Sequence, residues 1–580
     1  MQFLKASVRS ASVNSLALIL LTGLCLFSFS YHLGEVPPYH TDENFYILSA
    51  KNMIQSGDYL TPMFHEKKRF AKPILFYWLV SASYKTFGIN LVSARLWSVV
   101  FGTLSAWLVY LVGRRLLTTQ AALVGAFILP SIYLHFQISR WATTDMTLSF
   151  FILSAFYFFI KGFQEESHRK RNFYLFYFAM ALGFLTKGPP AILLPGLTIA
   201  AFLFVRGDWK MFSEMRLLQG LLILLVVDVP WFAAMVFLHG DEFLNHLLGA
   251  ELRDRIFHQI PFSFYYLGVF VRYYLPWSLF LICSLAVVAT GFKARLLKMF
   301  DKENIGVLFC TLWILIPLIV FTAFRIEHSR YLLPACPAVA LLLGHYFTAL
   351  ANSARGFKRP AFKIPFYLTL LLFFLLTLVI GAAIIAMQST VSVPFRIMFL
   401  PLFLATGPAV LIVLFIVRRK IALIITLAVF QTLSLALIHG DAIPFFTRYP
   451  MKKFAQEIAH TGNGQEKIGV YQLGSHQARL GALTGQYSKF IFTPEMLDTF
   501  LKTDQTVFVV IRESVWEEKF KDLPLIRQAT DTIWKKRRVD KKFLQELWDG
   551  GLKFQESDLV ETIILFTNQR IKGNVIPEKS

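Results

Sequence analysis

The chain has 580 residues, 56% of them hydrophobic, and 58 Lys and Arg stand against 36 Asp and Glu for a net charge of +22. A soluble chain is about 45–50% apolar even with glycine counted, so a single buried core is excluded and lipid must cover much of the surface. The basic residues fall mainly in short loops between apolar runs, which marks membrane topology and argues against a nucleic-acid partner.

The first apolar run, residues 16–31, follows Lys5 and Arg9. No small-x-small cleavage pattern comes after it and many spans follow, so it reads as a first transmembrane helix and not as a signal peptide. Runs able to cross about 30 Å of hydrocarbon recur near residues 13–31, 91–113, 121–136, 143–161, 173–186, 191–205, 217–238, 264–291, 305–324, 331–350, 366–387, 394–417 and 421–438. That predicts about thirteen transmembrane helices. Every alternate loop is basic, from Arg114 and Arg115 after the second span to Arg418, Arg419 and Lys420 after the twelfth. The N-terminus is therefore expected in the cytoplasm and, with an odd count, the C-terminus outside. Cys25, Cys283, Cys310 and Cys336 all lie in apolar stretches without metal-ligand spacing and read as buried thiols.

The outer side carries more chain: a first loop at residues 34–90, a second at 239–261, and a terminal segment at 443–580. In the first loop Ile47, Ala50, Met53 and Ile54 form one apolar stripe with Gly57 as a stop, and residues 72–87 give a second helical stretch around Pro73. Such helices can lie in the membrane interface and roof a cavity open to both lipid and water. The terminal segment reads as mixed α/β, with strand-like runs at residues 470–473, 507–511 and 562–566. The organisation expected is an all-α polytopic membrane domain over residues 1–442 and an outer α/β domain over 443–580.

This topology gathers ionisable residues from distant parts of the chain onto one membrane face: Asp42, Glu43, Lys72, Arg95, Arg140, Asp145, Lys187, Glu251, Arg253, Arg255, His258, Arg325, Glu327, His328 and Arg330. Ionisable groups at membrane depth are costly and usually face a cavity. A mixture of carboxylates and cations suits a reaction that handles phosphate. Each residue also has a plainer reading. Asp42, after Thr41, fits a helix cap. Lys72 fits a snorkelling interfacial side chain, and Lys187, in the break Leu185-Thr186-Lys187-Gly188-Pro189-Pro190, an interface anchor. Arg253, Arg255 and His258 fit a solvated loop face; Glu327, His328 and Arg330 fit local ion pairs worth under about 1 kcal/mol each. Asp228 stands apart inside the seventh span, before Pro230 and Trp231. There is no phosphate-binding glycine loop, no dinucleotide turn and no H-E-x-x-H. No soluble nucleotide is implied, and a sugar donor used outside should already be attached to lipid.

Asp42-Glu43, then Ser56-Gly57-Asp58, then Lys72-Pro73-Ile74-Leu75-Phe76-Tyr77-Trp78-Leu79, Phe87-Gly88 and Ala94-Arg95-Leu96 resemble the first outer loop of the aminoarabinose lipid A transferases. These belong with the protein O-mannosyltransferases in the GT-C glycosyltransferase class. Leu182-Gly183-Phe184-Leu185-Thr186-Lys187-Gly188-Pro189, Pro261-Phe262 with Tyr265-Tyr266, Leu275-Pro276-Trp277 and Ser329-Arg330-Tyr331-Leu332-Leu333-Pro334 continue the resemblance in order. The C-terminal segment resembles theirs in placement and size only.

The resemblance implies a GT-C fold in a bacterial inner membrane, with the outer domain in the periplasm. It implies inverting transfer of a sugar, such as 4-amino-4-deoxy-L-arabinose, from undecaprenyl phosphate to lipid A or another envelope acceptor. Asp42 matches the catalytic acidic position. Lys72 and Lys187 match cations that meet the carrier phosphate, and Arg255 and His258 fall in the second loop that helps form that site. Glu43, Asp145, Arg330 and Tyr331 are assigned to the sugar and acceptor cavity. No cofactor is implied; the metal requirement is left open. Many relatives carry Glu directly before the Lys-Pro, whereas this chain has Ala71, which weakens any metal site built on that glutamate. A transferase acting on protein or polysaccharide hydroxyls is the alternative within the class. A transporter is the alternative outside it, although transporters usually show repeats and midplane sites, and no repeat is visible here.

Overall fold

The computed structural model describes the chain apart from residues 1, 37, 39–40, 65–66, 254–262, 290–303, 325–326, 355, 389–392, 448–449, 463, 465, 475, 535–559 and 569–580. Helices run in order as α1 Gln2–Ser30, α2 Thr41–Ser56, α3 Leu75–Phe87, α4 Leu91–Leu116, α5 Thr119–Ile128, α6 Tyr133–Ile138, α7 Thr144–Gln164, α8 Arg169–Lys187, α9 Pro190–Arg206, α10 Lys210–Glu214 and α11 Leu217–Asn245. Long apolar helices continue through Ile305–Ala323, Cys336–Asn352, Pro360–Gln388, Leu400–Ile416 and Lys420–Leu437.

Among the described residues eight helices are long and apolar enough to cross a membrane, and Tyr265–Tyr273 with Trp277–Cys283, bent by 116°, make a ninth if the pair is one span. The remaining runs are helical but fall short for identifiable reasons. The apolar parts of α1 and α9, Asn14–Ser30 and Pro190–Arg206, are shorter. The run at 121–136 is not one helix: α5 gives way at Leu129–Ser131, around Pro130, to the separate α6, as expected where proline removes a backbone donor. Helix α8 opens on Arg169, Lys170 and Arg171, which dilutes its apolar face.

The main apolar core lies among the membrane helices. Small residues set its closest approach: a Cβ on Gly344 would collide with the Ala121 carbonyl, and one on Gly125 would sit 2.9 Å from the Ala340 oxygen. That is how membrane helices pack when no hydrophobic effect drives them together. A separate core belongs to the long loop at residues 34–90, where Ala50, Met53, Phe76 and Tyr77 meet Trp231 and Phe243 of α11. The expected stripe of α2 is therefore its buried face, and Gly57, at φ +75°, ends the helix by donating to Met53 O at 3.0 Å. Strands β1 Met63–Phe64 and β2 Lys67–Lys68 form an antiparallel pair in the same loop. Thr61 Oγ1 meets His239 Nε2 at 2.9 Å, and Lys68 Nζ donates to Glu242 Oε2 at 2.6 Å, tying the loop to α11.

The C-terminal part holds a five-stranded mixed sheet of β3 Lys467–Tyr471, β4 Ser488–Ile491, β5 Val507–Arg512, β6 Ile526–Trp534 and β7 Val560–Thr567, in the order β4-β3-β5-β7-β6. Strand β3 is parallel to β4 and β5; β7 is antiparallel to β5 and β6. Helices Met451–Thr461 and His476–Thr484 cover one face, and Pro494–Leu501 and Glu513–Lys519 the other. The C-terminal part touches α2: Lys51 Nζ donates to Gly485 O, in the turn between helix His476–Thr484 and β4, at 2.7 Å.

Candidate active site

Helix ends set out the site. Asp42 lies in the first turn of α2 and Asp145 in the first turn of α7, where a helix dipole favours negative charge. Lys187 is the last residue of α8, where it favours positive charge. Gly188, at φ +82°, lets the chain reverse there, its N–H bonding Phe184 O at 2.7 Å before Pro190 opens α9. Arg330 and Tyr331 come from the tight helical turn Ser329–Ala335. Two buried aromatics pin that turn: Tyr274 Oη donates to Leu332 O and Trp313 Nε1 to Pro334 O, both at 2.7 Å.

These residues make one continuous chain of charge. Lys187 Nζ is ion-paired with Asp145 Oδ1. Arg330 pairs with Asp42 through Nη2 and reaches Asp145 Oδ2 through Nη1 at 3.6 Å. Exposure rises outward, from 4% for the Asp145 side chain and 6% for Lys187 to 12% for Arg330 and 30% for Asp42. The Lys187 ammonium also lies 4.6 Å from the centroid of the Tyr331 ring, a cation–π contact. Four residues from separate helices thus alternate in sign from a dry floor to an open rim.

An apolar cavity of about 520 Å³ runs away from Lys187 and Tyr331, within the range of ligand pockets. Its walls include Phe184, Pro189, Leu193, Trp231 and Phe232. Leu248 and Phe324, also in the lining, are exposed, so the cavity opens where lipid would meet α11 and Ile305–Ala323. Ala71 and Pro73 line it on either side of Lys72, whose Nζ donates to Ala71 O at 2.6 Å.

Asp42, Asp145, Lys187, Arg330 and Tyr331 are brought together, while Lys72 stands between two residues of the cavity wall without lining it. Glu43 departs from its expected place in the cavity. Its carboxylate is wholly buried and accepts from Arg95 Nε at 2.6 Å, Arg95 Nη2 at 3.0 Å and Ala142 N at 2.9 Å. Arg95 and Arg140, both from the outer polar set, are structural as well. Arg95 Nη1 donates to Leu33 O and Val36 O, and Arg140 to Ser28 O, Phe29 O and Tyr31 O, satisfying carbonyls left open where α1 ends. Arg255, His258 and Arg325 lie outside the described residues.

Sequence reasoning passed over Tyr46, which is buried and meets Thr144 Oγ1 at 3.5 Å beside Asp145. An aromatic inside an amphipathic stretch looks like core, so no signal marked it. It also left His328 unassigned; its ring lies 5.3 Å from that of Tyr331. Burial, then the neighbouring Arg330 and Lys187 charges, hold the His328 imidazole pKa below its usual value.

A family model described as dolichyl-phosphate-mannose-protein mannosyltransferase matches residues 71–233. The chain is 29% identical over 373 residues to the undecaprenyl phosphate-alpha-4-amino-4-deoxy-L-arabinose arabinosyl transferase 2 of Pseudomonas fluorescens (strain Pf0-1), covering 61% of this chain and 63% of that one. It is 26% identical over 336 residues to the undecaprenyl phosphate-alpha-4-amino-4-deoxy-L-arabinose arabinosyl transferase of Edwardsiella ictaluri (strain 93-146), covering 56% and 58%. The chain thus spans about six-tenths of the length of the curated relatives it matches first. The crystal structure of ArnT from Cupriavidus metallidurans bound to undecaprenyl phosphate superposes with a TM-score of 0.70 at 19% identity, over 95% of this chain and 98% of that one. The resemblance read from the sequence holds, and the two chains share the GT-C fold.

Proposed function

We propose that the chain is an inverting glycosyltransferase of the inner membrane that moves a sugar, in the first place 4-amino-4-deoxy-L-arabinose, from undecaprenyl phosphate to a phosphate of lipid A at the periplasmic face. The observation that carries this reading is the alternating chain Asp42–Arg330–Asp145–Lys187 at the polar end of a lipid-facing apolar cavity. The cavity suits a polyprenyl tail and Lys187 suits the phosphate at its head, with Lys72, between the lining residues Ala71 and Pro73, as the second cation of this reading. The assigned residues of the second loop, Arg255 and His258, complete the phosphate site in this reading. The proposed topology has about thirteen spans, a cytoplasmic N-terminus and residues 443–580 as the periplasmic domain; the contact of α2 with Gly485 supports placing the first loop and that domain on one side.

Chemically, an acceptor oxygen attacks the anomeric carbon as the bond from that carbon to the carrier-phosphate oxygen breaks, and the bonding pair leaves on the phosphate. Lys187 and Arg330 stand where that negative charge grows, and fixed cations lower the barrier most when they need not reorganise. Each of these cations is paired with a carboxylate. An arriving phosphate competes for both cations, which releases Asp42 at the rim. A phosphate acceptor is already ionised, so Asp42 then orients acceptor or sugar; a hydroxyl acceptor needs Asp42 as general base. The family model matched at residues 71–233 favours keeping that second acceptor class in the test.

The test is transfer from undecaprenyl-phosphate-aminoarabinose to lipid A by the purified protein, read by mass spectrometry, with Asp42→Asn and Lys72→Ala beside wild type. Product with wild type alone supports reaction and sites. Transfer only from another polyprenyl-phosphate sugar, or only to a hydroxyl acceptor, keeps the mechanism and replaces the substrate. Full activity in both variants removes the site assignment. Asp228, buried with Oδ1 lacking a hydrogen-bond partner, is the residue a transporter reading would need; unchanged activity in Asp228→Ala removes that support.

A further inference from the structure

A second concavity, about 590 Å³, lies where α2 meets the C-terminal sheet. Three lysines line it: Lys51 from α2, Lys467 from the start of β3 and Lys489 from β4. Among the described residues Glu466 is the one carboxylate in its lining, and it is buried and engaged, accepting from Gly464 N and from Gln486 Nε2, both at 2.9 Å. The lysines are held by neutral groups instead. Lys51 Nζ donates to Gly485 O at 2.7 Å and Lys467 Nζ to Thr503 Oγ1 at 3.2 Å. Among the described residues none of the three is in an ion pair with a carboxylate.

The cleft is built around Lys51. Gly485 has φ +66°, and a Cβ there would sit 2.5 Å from the Lys51 Nζ and 3.3 Å from its Cε. Glycine therefore serves both the backbone turn and the passage of the lysine stem. Half-burial lowers the Lys51 pKa from its usual value, as expected for an ammonium short of compensating charge. Beside the aliphatic Leu48 and Ile468, the lining offers hydrogen-bonding groups on Asn52, Gln55 and Thr499 and the half-exposed ring of Tyr487. Cations give a phosphate its charge partners. Amides, a hydroxyl and an exposed ring give a sugar its hydrogen bonds and an apolar face.

We infer that this cleft is a second recognition site, separate from the catalytic one, for a phosphorylated sugar. Lys51 follows Asp42 by nine residues, about 14 Å along the helix axis at 1.5 Å per residue and half a turn round it, so the cleft is not part of the catalytic pocket. Both ends of one rigid helix would then read the acceptor, its reacting group at Asp42 and a second phosphorylated sugar at Lys51. This last step rests on the transferase reading; the existence of the site does not.

The test is binding without turnover. A soluble phosphorylated glucosamine disaccharide is titrated by calorimetry into the full chain in detergent, with the dephosphorylated disaccharide and inorganic phosphate as separate arms. Lys467→Ala with Lys489→Ala should weaken the phosphorylated disaccharide by about ten-fold or more, as lost contacts to a charged group do, and Lys187→Ala should leave part of the binding intact. Equal affinity for inorganic phosphate overturns the sugar; equal affinity for the dephosphorylated disaccharide overturns the phosphate. Undiminished binding in the double variant overturns the site. In the transfer assay the double variant should raise the acceptor KM and leave kcat. If no donor supports transfer, the binding arms still decide the cleft while the reaction assigned above falls.

Discussion

Asp42 and Glu43 are neighbours on α2, yet they belong to different worlds. Glu43 is 0% exposed, meets Arg95 through both carboxylate oxygens and takes a backbone N–H as well. Asp42 is 30% exposed and shares Arg330 with a second carboxylate. Arg95 also donates through Nη1 to two backbone carbonyls, whereas Arg330 is shared between two carboxylates beside a small crevice that Asp145, Lys187 and Tyr331 also line. A buried pair closed on itself becomes costly when one partner is removed, because the other charge is left uncompensated. A pair that already shares its cation with a second carboxylate can yield it to a rival anion.

The largest effect should come from breaking the closed pair. Glu43→Gln leaves the Arg95 guanidinium buried without its counter-charge, a loss of about 3–5 kcal/mol. The protein should be lost from the folded membrane fraction, with its detergent melting temperature falling and all binding going with it. Glu43→Gln combined with Arg95→Gln should recover part of the folded protein, because removing both charges is milder than orphaning one, while the Leu33 and Val36 carbonyls lose donors. If Glu43→Gln folded normally and lost activity alone, the division between the two acids would be wrong.

Asp42→Asn should do the reverse. The melting temperature should stay near that of wild type, while turnover drops by roughly 10²–10⁴-fold if a hydroxyl acceptor needs a base. With a phosphate acceptor the fall should be smaller, so the size of the effect also sorts the acceptor classes. Lys187→Met should follow, with kcat reduced by about 10²–10³-fold if its ammonium meets the leaving phosphate. It leaves Asp145 facing Arg330 alone, so adding Asp145→Asn should change the result non-additively. A strictly additive pair would mean that the two groups do not act as one unit.

Much of this was legible in the sequence, for a physical reason. Topology alone places Asp42, Asp145, Lys187 and Arg330 on one face, since charge near the membrane is expensive and apolar runs are easy to count. What topology cannot say is where each side chain turns. Glu43 and Arg95 share the face and even the resemblance, yet they point into protein, because α1 ends with open carbonyls that an arginine satisfies. The C-terminal sheet shows the same limit. The Val- and Ile-rich β5 and β7 were recognisable, and β3 was found a few residues late because it opens on Lys467. Strand β6, Ile-Arg-Gln-Ala-Thr-Asp-Thr-Ile-Trp, looks polar and is fixed by its pairing with β7, a tertiary cause that no local window contains. The number of spans blurs for a similar reason: Pro130 and the charged opening of α8 spoil runs that are helical in the fold.

The smallest effect tests the opposite pole of the comparison. Lys68 and Glu242 lie 2.6 Å apart, with side chains 36% and 58% exposed, and join the β2 strand of the first loop to α11. Water solvates both, so Lys68→Ala should shift stability by under about 1 kcal/mol, and raised salt should erase what remains. The pair nevertheless spans the loop and a helix that lines the apolar cavity. If its removal left the melting temperature unchanged but altered the apparent affinity for the polyprenyl donor, the pair would be steering the loop over the cavity rather than stabilising it. If neither moved, the loop would be held by its apolar contacts alone, with Trp231 and Phe243 packed under α2 and α3, and the exposed pair would be a consequence of that packing.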